Sequence, residues 1–113
     1  SLQVLVITER ALEAYKEQLS SQYSVVAVSK KSLTQEQLLA IDPILKSSKE
    51  LLPDDVIKRL NSGMSKKNIE LLKLTLPKFY RLKLKHYPTP AEIESLTKNL
   101  LADKNIIKVE NFA

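Results

Sequence analysis

The sequence predicts an α+β domain: a four-stranded, mainly antiparallel sheet from two β-α-β halves, ferredoxin-like and split, with a helical lobe inserted between strands 2 and 3. Three observations predict it. Residues 76–111 read as one complete β-α-β unit, with an alternating strand over 79–85, a Tyr87-Pro88-Thr89-Pro90 turn, a helix over 91–101 and a strand over 105–110. The opening of the chain repeats that unit at an offset of 81 positions without a gap. Thr8 falls on Thr89, Leu12 on Ile93, Glu13 on Glu94, Tyr15 on Leu96 and Leu19 on Leu100, and Val25, Val26 and Val28 fall on Ile106, Ile107 and Val109. Between the halves, residues 32–75 hold only short helical patterns. The chain therefore reads as one domain, 1–113, with a sheet lobe formed by 1–31 and 76–113 and an inserted helical lobe over 32–75. The two repeat helices are expected on one face of the sheet.

The elements follow in order. Residues 2–7 are β-branched and apolar on both faces, which predicts a well-covered strand. Thr8 is the expected N-cap of a helix reaching about Ser21, because its hydroxyl can accept from a free first-turn amide. Glu9, Glu13 and Glu17 recur at helical spacing and form an outer, solvated row. Acid–base work needs carboxylates converging across a cleft, which such a row does not provide. Residues 23–29 predict the second strand. Ser32…Gln35 and Thr34…Gln37 are overlapping capping-box patterns, so a short helix is expected through Ile41, ending before Pro43. A further helical turn is expected over 44–51. Pro53-Asp54-Asp55 opens another helix, since proline fits the first turn and acids suit its positive end. Asn61-Ser62-Gly63 closes it, with the single glycine where a positive φ costs least. Ser65 caps a last inserted helix over 66–74.

The length of 113 residues suits one domain that buries about two thirds of its unfolded surface. A hydrophobic content of 43% is that of a folded protein rather than a disordered one. There is no cysteine, which removes disulfides and thiolate metal sites without deciding the compartment. No run approaches the ~18 apolar residues of a membrane span. The chain has no initiator methionine and enters a strand almost at once, so it is expected to be a segment of something longer. The net charge of +5 is uneven: residues 30–85 carry thirteen Lys/Arg against six Asp/Glu, and the remainder five against seven. The insertion and third strand thus carry a positive field suited to nucleic acid, an anionic membrane face or an acidic protein, or simply to solubility.

Several chemistries lack their residues. One glycine is too few for a phosphate-cradling loop or a dinucleotide fingerprint. One histidine and no cysteine argue against a transition-metal site, so no metal and no cofactor are expected. Any catalytic triad would have to include His86, which reads as an exposed turn residue. No catalytic residue is expected. An RNA-recognition module is the alternative from another class. Phe79, Arg81, Lys83 and Lys85 share one strand face, but such modules stack bases on aromatics of two central strands, and the first strand offers none. A small-molecule regulatory domain of ferredoxin-like type is a third possibility, and would need a ligand pocket at the sheet edge of a dimer.

Three stretches carry a family resemblance. Tyr23-Ser24-Val25-Val26-Ala27-Val28-Ser29-Lys30-Lys31-Ser32, Leu76-Pro77-Lys78-Phe79-Tyr80-Arg81-Leu82-Lys83-Leu84, and residues 88–109 together resemble the large extracytoplasmic domain of FtsX, the membrane subunit of the FtsEX cell-division complex, an ABC-transporter-like machine. Departures are Lys73-Leu74-Thr75 in place of the family's Asn-Pro, and Lys104-Asn105 where a glycine often stands. The resemblance implies a domain on the periplasmic side of an inner-membrane protein at the division site, held between two transmembrane helices. It implies a parent protein that works with the FtsE ATPase, and a partner that is a peptidoglycan hydrolase or an EnvC-like coiled-coil activator of one. ATP turnover would then shift the domain and relieve the partner's autoinhibition. No nucleic acid is implied.

The inserted lobe is rich in large aliphatics, and short helices must pack on something. Two readings are open on composition: some of these residues are exposed as a partner-binding patch, or all of them pack internally. Val56, Ile57 and Leu60 form one helical stripe flanked by Lys58 and Arg59, and Leu52, Met64, Ile69 and Leu72 extend it. A basic rim would favour an acidic partner helix. The expected function is a non-enzymatic docking and signal-transmitting module that controls cell-wall hydrolysis.

Overall fold

A computed structural model of the chain describes residues 8–13, 23–51 and 65–112. Residues 8–13 are helical. Then come β1 (Ser24–Ser29), α1 (Gln35–Leu39), β2 (Leu45–Leu51), α2 (Lys66–Thr75), β3 (Lys78–Leu84), α3 (Pro90–Ala102) and β4 (Ile106–Phe112). The strands form one sheet in the order β2-β3-β1-β4, and every neighbouring pair is antiparallel. The class is therefore α+β with a four-stranded antiparallel sheet, as the sequence predicts. Since β1 runs antiparallel to both β3 and β4, those two are parallel with β1 between them. That makes β3-α3-β4 a split β-α-β unit.

Local chemistry sets the helix starts. Thr34 caps α1 with a full capping box: its hydroxyl accepts from Gln37 N–H at 3.1 Å, and Gln37 Oε1 accepts from Thr34 N–H at 2.8 Å. The overlapping Ser32…Gln35 pattern does not form; Gln35 Oε1 instead accepts from Ser48 N–H at 3.2 Å, tying α1 to β2. Ser65 caps α2 by accepting from Asn68 N–H at 3.2 Å. Thr89 caps α3, with Pro90 in the first turn and Glu92 completing the box. Thr8, expected as a cap, is itself helical and buried.

Two expectations are corrected. Residues 44–51 are not a helical turn but lead into strand β2, which pairs with β3 from Leu45↔Leu84 to Leu51↔Phe79. Ser47 and Ser48 are indifferent helix formers, and β3 supplies ladder partners for the backbone groups on the side of β2 that faces it. Asp42 sets the entry: Oδ1 accepts from Ile44 N–H at 2.9 Å and Oδ2 accepts from Asn99 of α3 at 3.0 Å. The second correction concerns the repeat helices, which lie on opposite faces of the sheet. Ala11 and Leu12 pack with Val26, Val28, Leu72, Leu76, Phe79 and Phe112 on one face. Leu96 and Leu100 pack with Val25, Ala27, Leu38, Ile44, Leu45, Tyr80, Leu82 and Ile106 on the other. The cause is in β1, whose residues are all buried, so that both faces of the central strand need a cover. The repeat's matched strands also differ in setting: Val26 is buried with a strand on either side, while its counterpart Ile107 stands half exposed on β4, the outermost strand among the described residues.

The predicted strand over 2–7, the end of the first helix, and the Pro53-initiated helix with its Gly63 stop lie outside the described residues. Glu9, read as part of a solvated row, pairs with Lys108 of β4. Lys108 also lies 3.5 Å from Glu110. The hydrogen bond that Lys108 donates to Glu9, chiefly, holds the Lys108 ammonium above its ordinary range.

Candidate functional site

Helix α2 is the described part of the inserted lobe that carries predicted site residues. Leu72 is 8% exposed and packs into the sheet face with Phe79 and Val28; Ile69 is partly buried against the same cluster. Both therefore face the core, and Leu72 is not presented to a partner. Leu52, Val56, Ile57, Leu60 and Met64 lie outside the described residues. The outward apolar residues of α2 are Leu71 and Leu74, at 53% and 83% exposure. They stand three positions apart, hence on one side of the helix, with Lys67, Glu70 and Lys73 around them. Lys73 reaches Glu70 at 3.4 Å, an exposed pair of small energetic weight. The spacing Ile69/Leu72 and the spacing Leu71/Leu74 are the same, so helical period reveals both stripes and not which one turns inward.

At the other end of β3 a cleft of about 330 Å³ opens between β2, β3 and the start of β1. Lys46, Arg81, Lys83 and His86 line it, with Tyr23 and Tyr87 at its side. The register of β2 on β3 steps from Leu45↔Leu84 to Ser47↔Lys83, so Lys46 is the extra residue of a bulge. A bulge re-aims the side chain it carries, and here Lys46 shares the cleft with two cations of the neighbouring strand. Arg81 Nη2 lies 3.5 Å from Ser24 Oγ, at the limit of a hydrogen bond, and its buried Nε has no partner among the described residues. Tyr23 and Tyr87 meet edge to face with ring centroids 5.4 Å apart. Desolvation, and then the neighbouring Tyr87, push the Tyr23 hydroxyl above its ordinary value, so it stays a neutral donor. The sequence reading missed this cleft because it made 44–51 helical, which sends Lys46 elsewhere.

His86 also lines a second cleft, of about 290 Å³, with Asp42, Lys85, Glu92 and Ser95. It is the exposed turn residue the sequence predicts, and its Nε2 sits 2.7 Å from Glu92 Oε2. The bond from Thr89 N–H and that from His86 hold the Glu92 carboxyl below the ordinary glutamate range. Among the described residues no hydrogen bond joins Ser95 to the imidazole, and no group of three or more His, Asp or Glu is placed to hold a metal ion. Also among them, no helix is long and apolar enough to cross a membrane. Phe79, the aromatic of the candidate RNA-stacking face, is 2% exposed beneath Leu72 and Leu76.

No family model, no curated protein and no solved structure matches the chain.

Proposed function

We propose that the chain is a non-enzymatic docking and signal-transmitting module that binds an amphipathic helix of a partner protein. The observation that carries this reading is the outward pair Leu71 and Leu74 on α2, whose opposite side is anchored in the core by Leu72. A helix held from behind and apolar in front suits helix-in-groove recognition, in which aliphatic anchors are ringed by polar groups. The lysines around it favour an acidic partner and quicken encounter. The resemblance to the FtsX extracytoplasmic domain gives this reading its setting: a periplasmic module of an inner-membrane division protein, coupled to the FtsE ATPase, whose partner is a peptidoglycan hydrolase or its coiled-coil activator.

The test is capture. The chain, tethered by its C-terminus, is exposed to periplasmic extract in low and in moderate salt. A coiled-coil hydrolase or activator should be retained in both salts, and lost when Leu74→Glu is used in its place. Since Leu74 is a surface residue, that variant should melt at the parent temperature. Leu72→Ala should instead destabilise the fold by about 3 kcal/mol. Undiminished retention by Leu74→Glu would refute the docking surface. Nucleic acid retained only in low salt would favour the nucleic-acid-binding alternative, with the cationic cleft as its footprint.

A further inference from the structure

The cationic cleft lies at the end of β3 remote from α2 and has no part in that docking surface. Its wall carries Lys46, Arg81 and Lys83, and among the described residues no carboxylate lines it. Among the described residues, the acid bonded to a lining residue is Glu92, which is engaged with His86 and with the Thr89 backbone. Like charges gathered without a counter-charge repel one another, and the bulge at Lys46 adds a third cation to the two that β3 supplies. Arg81 contributes a buried Nε–H without a partner among the described residues.

We propose that this cleft is a binding site for a phosphate group. The charge count selects phosphate over carboxylate. A carboxylate would leave two of the three permanent cations uncompensated, whereas a phosphate monoester carries roughly 1.5 to 2 negative charges and three acceptor oxygens. The guanidinium fork of Arg81 matches phosphate geometry, the lysines act as point charges beside it, and the Tyr23 hydroxyl remains a neutral donor. A volume of about 330 Å³ accommodates a phosphoester headgroup with its attached alcohol. Such a monoester can belong to a soluble phosphate ester or to phosphatidic acid at a membrane surface, and the two sources call for different probes.

The 113-residue chain labelled with ¹⁵N is titrated with glycerol phosphate at constant ionic strength. Saturable amide shifts are expected at Ser24, Lys46, Lys83 and Leu84. Lys46→Gln and Lys83→Gln, both exposed and so safe for the fold, should each weaken binding roughly tenfold, the weight of one charge-assisted contact. Sedimentation with vesicles containing phosphatidic acid, but not with phosphatidylcholine vesicles, and its loss in Lys83→Gln would assign the lipid source. Saturable glycerol phosphate binding without sedimentation would assign the soluble one. Shifts that rise without saturation and equally at Lys66, Lys67 and Lys104, or that persist unchanged in Lys83→Gln, would overturn the proposal.

Discussion

Tyr80 is nearly fully buried beside Ala27 on the α3 face of the sheet, yet its hydroxyl accepts from Leu33 N–H at 2.8 Å. That single bond pins the stretch entering α1 to the middle of β3. Tyr80→Phe keeps the packing and removes the acceptor, which leaves a part-buried N–H unpaired. It should cost about 1 kcal/mol in denaturant melts with an unchanged m-value. An unaltered midpoint would mean that water serves Leu33 equally well. The strand alternation already places Tyr80, Leu82 and Leu84 opposite Phe79, Arg81 and Lys83. The bond itself is invisible from sequence, because donor and acceptor are 47 positions apart and no periodicity links them.

The elements divide by how local their causes are. Helix α3 begins where Thr89, Pro90 and Glu92 say it should, since all three act within one turn. Its acid partner also sets a pH dependence. A carboxyl held below its unfolded-state value contributes stability above the ordinary glutamate range of about 4.3. That contribution is lost as pH falls through the lower folded value. Thermal melts should therefore lose stability below about pH 4, and Glu92→Gln, which keeps an acceptor for Thr89 N–H, should flatten that segment of the profile. An identical profile in the variant would show that the carboxylate charge contributes nothing. Strand β2 is the opposite case. Leu45 to Leu51 contains two lysines, two serines and a glutamate, and nothing within seven residues forces extension. Its conformation comes from the unfilled edge of β3, a cause that reading along the chain does not reach. The bulge at Lys46, and with it the cationic cleft, is hidden for the same reason. The outward stripe of α2 was half legible: the aliphatics are evident, and only the fold decides that Leu72 goes in while Leu74 stays out.

For the whole molecule, the central question is whether a sheet covered on both faces behaves as one body. The Val25-Val26-Ala27-Val28 run belongs to both cores at once, which couples them through β1. Ile44→Val on one face and Phe112→Leu on the other should each cost about 1 kcal/mol. Together they should add to within about 0.5 kcal/mol, since the sites share no partner. Near- and far-ultraviolet transitions of the double variant should coincide; two separated transitions would mean that the faces melt independently. The centrality of β1 also bears on the order in which the chain is made. Ser24 and Arg81 meet across the sheet although 57 positions separate them, and Val26 must wait longer still for Glu110. During synthesis, an apolar strand emerges early and both of its neighbours emerge late. Pairing so distant is slow, and unpaired strands of this kind invite association between chains. The nascent polypeptide thus carries an apolar segment unprotected until β3 and β4 have both emerged, and a delay before then exposes the cell to aggregation rather than to a partly working domain.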